Sequence, residues 1–82
     1  MPRFFFHLHD ANGVLHDEEG KDLPDLGAAM LQALDEARAL IATDINGGTP
    51  VRLRTHICVD DEYGQTVGEL MFRNAINFDD SR

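Results

Sequence analysis

Residues 4–9 alternate between two faces, with Phe4, Phe6 and Leu8 on one and Phe5, His7 and His9 on the other. Alternation at period two marks a strand with one face buried. Asn12-Gly13 follows, and then Val14, Leu15 and His16. Asn-Gly between two such runs predicts a hairpin, because a type I′ turn needs positive φ at both central residues. That turn pairs Ala11 with Val14 and sets His9 opposite His16, with His7 as a diagonal neighbour. Three imidazoles then share one face. The other turn available puts Asp10 at the first position of a type I turn with Gly13 as a bulge. It pairs Leu8 with His16 and mixes the two faces, so the hydrophobic pattern favours the Asn12-Gly13 turn.

The second run is short, residues 14–17, and dissolves into the acidic turn Asp17-Glu18-Glu19-Gly20. A helix comes next. Asp25, after Pro24, is the N-cap, where a carboxylate suits the positive end of the helix dipole. Leu26, Met30, Ala33, Ala37, Leu40 and Ile41 form one apolar stripe, with Leu34 and Ile45 at its edge. Spacing of three and four residues is that of an amphipathic helix packed on a core. Ala33 and Ala37 allow close approach to a sheet. Asp44 falls near the stripe centre, but in the last turn, where it reaches solvent. Asn46-Gly47-Gly48 closes the helix with glycine where a left-handed cap is wanted, and Pro50 blocks continuation.

Residues 51–59 hold the longest clean alternation. Val51, Leu53, Thr55, Ile57 and Val59 face one way; Arg52, Arg54, His56 and Cys58 face the other. Residues 60–64 are a turn with Asp and Gly in turn-forming places. A fourth strand is expected over residues 65–73, with Leu70 and Phe72 inward and Val67, Glu69 and Met71 outward. Residues 74–78 extend it or begin a tail, and residues 79–82 fray. The expected domain is residues 1–78.

Two hairpins joined by a helix give a two-layer α+β fold of order β-β-α-β-β. Its four-stranded, mostly antiparallel sheet carries the helix on one face. The pattern leaves the strand order open. It also leaves Phe5, Val14, Cys58, Val67 and Met71 on the uncovered face, among the histidines and arginines. An apolar patch on a small protein marks an interface. Self-association as a homodimer through this face is therefore an expectation. A domain of 82 residues buries only about 60–65% of its unfolded surface, so a second copy would add needed burial.

Composition narrows the function. Net charge is −8, with fifteen acids against seven bases, which argues against nucleic acid and anionic membranes as partners. One cysteine, Cys58, excludes an internal disulfide and fits a reducing compartment. The Phe4-Phe5-Phe6 run is too short for a signal peptide, and no segment approaches the roughly 18 apolar residues of a membrane span. The expectation is a cytoplasmic protein.

The candidate chemistry is metal binding. His7, His9 and His16 share a face, and His56 joins them if the first and third strands are neighbours, with Cys58 nearby. Imidazole and thiolate are zinc ligands. No Cys-x-x-Cys or His-Glu-x-x-His pattern accompanies them, and the competing reading is four histidines in outward strand positions. The acidic turns lack EF-hand spacing, and the three Asp-x-x-Gly stretches at residues 10–13, 17–20 and 61–64 are turn chemistry. Cys58 and His56 project to the same side about 7 Å apart, too far for direct activation of the thiol. The single serine, Ser81, lies in the tail, and Gly47-Gly48 follows a helix rather than opening one. No catalytic set and no cofactor motif is present, so an enzyme is not expected. Tyr63 sits in a turn and there is no tryptophan, hence no platform for stacking bases.

Three stretches together resemble a known family. They are Met1-Pro2-Arg3-Phe4-Phe5-Phe6-His7-Leu8, then Asp17-Glu18-Glu19-Gly20 with Leu23-Pro24-Asp25-Leu26 and an alanine-rich helix, and then Val59-Asp60-Asp61-Glu62 with Gly64. This is similar to a family of small bacterial proteins known as a domain of unknown function, over nearly the whole chain and in the same element order. The resemblance implies a compact stand-alone bacterial domain and carries over no catalytic residue, ligand or partner. His9 and Cys58 are not marks of that family. The resulting expectation is a non-enzymatic interaction or regulatory module. A zinc-binding domain using His7, His9, His16 and His56 is the alternative.

Overall fold

A computed structural model describes residues 1–51 and 54–76. Strand β1 (Arg3–Asp10) lies inside the sheet. On one side it pairs with β2 (Gly13–Leu15) near its C-terminal end and with β3 (Lys21–Asp22) near its N-terminal end. On the other side it pairs with β4 (His56–Asp60), which in turn pairs with β5 (Thr66–Met71). Each of these pairings is antiparallel. One helix, α1 (Leu26–Asn46), joins the two halves. The fold is α+β, one helix on an open five-stranded sheet. The fifth strand is β3, where Arg3 pairs with Asp22 and Phe4 with Lys21. Two residues are too few to show an alternation, which is why the sequence pattern passes over it.

The first hairpin differs from the expected one. Asp10 pairs with Gly13, His9 with Val14 and Leu8 with Leu15, so Ala11 and Asn12 form the loop. No described residue other than glycine has positive φ, and within this hairpin Gly13 is the residue that crosses over, at φ 128°. A type I′ turn at Asn12-Gly13 is thereby excluded. Asp10 supplies the alternative: its Oδ1 accepts the Asn12 N–H at 2.7 Å, an Asx turn that needs no left-handed asparagine. The register moves by two residues from the expected one, so each side chain keeps its face. His16 now falls beside His7 rather than His9.

The last two strands of the chain are shorter than the alternation implies. Strand β4 begins at His56. Thr55 before it is buried, and its carbonyl accepts the Phe72 N–H at 2.8 Å. Arg52 and Leu53 of the expected strand lie outside the described residues. Strand β5 ends at Met71, and Phe72–Ala75 then form one 3-10 turn. That turn drops Phe72 and Ala75 into the core instead of continuing the strand. Residues 77–82, with the expected tail, also lie outside the described residues.

The helix starts as expected. Asp25 Oδ1 accepts the Ala28 N–H at 2.8 Å, an N-cap whose loss typically costs about 1 kcal/mol. Its buried line is Ala29, Ala33, Ala37 and Ile41, so Ala29 belongs to the stripe centre and Leu26, 41% exposed, does not. Three alanines with no exposed surface bring the helix close to the sheet, where Phe4, Phe6, Ile57 and Val59 meet them. Gly68, the partner of Val59, completes the fit: a Cβ there would lie 2.6 Å from Met30 Sδ. At the C-terminus the left-handed residue is Gly48, φ 74°, while Gly47 remains helical.

Candidate metal centre on the outer sheet face

With α1 on one face, the register fixes what the other face carries. Going across the strands, Phe5 pairs with Asp60, His7 with Cys58 and His9 with His56. Cys58 pairs in turn with Glu69, and His56 with Met71. Paired residues on neighbouring strands project to the same side. The result is a mixed patch of imidazoles, a thiol and carboxylates beside the apolar Phe5 and Met71. Of the expected interface residues, Phe5, Cys58 and Met71 lie half-buried on this face and Val14 is exposed beside His9. Val67 sits at the register shift between β4 and β5.

The four histidines separate into two pairs. His9 and His56 stack with ring centroids 4.9 Å apart and planes within 12°. One donor atom from each of His9, His56 and Cys58 can be chosen so that all lie within 4.8 Å of one another. Backbone spacing along β4 set His56 and Cys58 further apart, but their side chains converge over His9. Tetrahedral zinc, with Zn–N near 2.0 Å and Zn–S near 2.3 Å, holds its ligand atoms roughly 3.5 Å apart. The spread of up to 4.8 Å is wider than that, so holding a metal requires these side chains to draw together. Glu69 Oε2 lies 3.8 Å from Cys58 Sγ and 3.8 Å from His56 Nε2, beside two of the three donors. Burial pushes the Cys58 thiol above its usual pKa, and the Glu69 and Asp60 carboxylates add to the shift. The resting group is thus a neutral thiol, and a bound cation has to displace its proton.

His7 and His16 are a different pair. Their rings meet edge to face at 5.1 Å, but His7 has no nitrogen to spare. The Asp17 N–H donates to His7 Nδ1 at 3.1 Å, and His7 Nε2 lies 3.4 Å from Asp60 Oδ2. Nδ1 is therefore the acceptor of that bond, and Nε2 lies beside the Asp60 carboxylate. Asp17 completes the lock. Its Oδ2 accepts the Phe6 N–H, and its Oδ1 accepts those of Glu19 and Gly20. His7 and Asp17 together fasten the acidic turn to β1. Gly20, at φ 70°, ends that turn where a Cβ would collide with Phe5, Arg3 and the Phe4 carbonyl. The structure thus brings His9 and His56 together with Cys58 and leaves His7 and His16 out. Sequence reasoning placed Cys58 near the group without making it a ligand. Glu69 was legible as an outward residue, not as a neighbour of Cys58, because the strand order was open.

The second acidic turn is self-contained. Asp61 Oδ1 accepts the N–H groups of Tyr63 and Gln65, and Gly64 follows at φ 80°. This is the turn role expected of it. Among the described residues, no helix is long and apolar enough to cross a membrane.

A family model described as a domain of unknown function (DUF6894) matches residues 3–73. That span is most of the chain, and the chain belongs to this family. Comparison with curated proteins gives no match, and comparison with solved structures gives none either.

Proposed function

We propose, for this member of a family without an assigned activity, a transition-metal-binding module that holds zinc through His9, His56 and Cys58. The observation that carries the reading is the convergence of two imidazoles and one thiol from β1 and β4 within 4.8 Å. Imidazole with thiolate favours zinc over the hard cations magnesium and calcium, which prefer oxygen. Glu69 is placed to serve as the fourth donor. The reading involves no catalytic step. A reducing bacterial cytoplasm would keep Cys58 available as a thiol. Zinc titration by calorimetry tests it. One equivalent binding to the wild-type chain, and little to Cys58→Ala or His56→Ala, supports the site. Equal binding by all three chains removes it.

A second reading rests on a different observation. Strand β2 is a short sheet edge whose Val14 is 42% and Leu15 70% exposed. An apolar edge strand is a template for pairing with another chain, which supports a protein-interaction module and a homodimer. Sedimentation at high micromolar concentration tests it: a strict monomer would rule out the homodimer.

A further inference from the structure

The helix leaves part of the inner sheet face uncovered. Leu15 faces the helix side by its pairing with Leu8, yet it stands 70% exposed. The space between α1 and the β2–β3 edge is a groove of about 360 Å³, within the size range of small-molecule sites. Leu8, Leu15 and Leu40 line it on the apolar side, and Lys21, Gln32 and Glu36 on the polar side. Sequence reasoning assigned none of these residues a role in binding.

Glu36 is the unusual member. Its Oε2 is buried and has no hydrogen-bond partner. Burial raises its pKa most; a hydrogen bond from the Gln32 side chain to the carboxylate lowers it by less, and the Asp17 carboxylate raises it and Lys21 lowers it by smaller amounts still. Lys21 Nζ does not neutralise it by contact; it donates to Gln32 Oε1 at 3.1 Å. Asp17 and Glu19 also border the groove, so carboxylates outnumber the one lysine there. A buried carboxylate oxygen lacking a donor is costly, and a cationic donor relieves that cost best. We infer that this groove binds a small aliphatic primary amine, its ammonium pairing with the Glu36 carboxylate and its hydrocarbon chain lying against Leu8, Leu15 and Leu40. An alcohol of the same length lacks the charge, and a carboxylate is repelled by Glu36, Asp17 and Glu19.

The test is an amide NMR titration of the full chain at neutral pH with n-hexylamine, n-hexanol and hexanoate in parallel. The expected result is saturable shifts for the amine at Leu15, Lys21, Gln32 and Glu36. Hexanol should bind about tenfold more weakly, as the loss of one charge-assisted hydrogen bond implies, and hexanoate should not saturate. Glu36→Gln keeps the shape of the side chain and should weaken the amine about tenfold. A thermal melt of that variant shows that it is folded. Lys21→Gln removes the competing cation and should tighten the amine. Equal affinity for amine and alcohol, unchanged amine binding by Glu36→Gln, or shifts scattered over the acidic surface would overturn the assignment.

Discussion

His7 and His9 are two residues apart on the same face of one strand, and the neighbouring strands give them opposite roles. His7 is flanked by Asp17 and Asp60, and both ring nitrogens are occupied. His9 is flanked by His56 and lies within reach of Cys58. One histidine holds the fold; the other is free to hold a ligand. The difference lies in the partners that the register delivers, not in the residue type. A shared face is therefore necessary for a metal site and far from sufficient.

The largest expected effect separates the two directly. Cys58→Ala or His56→Ala should weaken zinc on the order of 100-fold, about 2.7 kcal/mol, in competition with a chelator of known affinity. His7→Ala should stay within about threefold of wild type in the same assay. The pH dependence sharpens this. Binding expels the Cys58 proton, so affinity should climb about tenfold per pH unit across the neutral range. It should level off only above the ordinary thiol value, since Cys58 is shifted upward. Cys58→Ala should lose that slope.

Stability should reverse the ranking. In metal-free protein, His7→Ala removes the acceptor of the Asp17 N–H and should cost about 1–3 kcal/mol in urea unfolding. His9→Ala, with no such bond among the described residues, should cost under about 0.5 kcal/mol. Gly20→Ala strains the same turn through its positive φ and lack of room, and should cost about 1–3 kcal/mol without altering zinc affinity.

The smallest effect is a control on the helix side of the sheet. Glu36 is shifted upward on folding, so folding favours its protonated form. Its contribution is fully present below the usual glutamate value and is lost as pH rises through the folded value. Glu36→Gln should then raise the melting midpoint slightly at neutral pH, flatten its acid-side dependence, and leave zinc binding unchanged.

Much of the fold was legible because its signals are periodic. The alternation at residues 4–9, the N-cap at Asp25 and the alanine-centred helix stripe each specify local structure. The hairpin register was not legible, because the Asx bond from Asp10 to Asn12 competes with the Asn-Gly turn and only tertiary context decides between them. The candidate site was legible in part. His9 and His56 stand in outward positions of their strands, but their juxtaposition depends on β1 pairing with β4. No local pattern encodes that pairing. Glu36 was hidden for the same reason: a glutamate on the polar side of a helix looks solvated until the sheet edge closes over it.

A cobalt(II) titration read by visible absorption tests the central claim most directly, since tetrahedral cobalt bound to thiolate shows intense ligand-field bands and a sulfur-to-metal charge-transfer band. The account predicts both bands at one equivalent in the wild-type chain and in His7→Ala, and neither in Cys58→Ala. Absence of the charge-transfer band from the wild type, or its loss in His7→Ala while that chain remains folded, would contradict it.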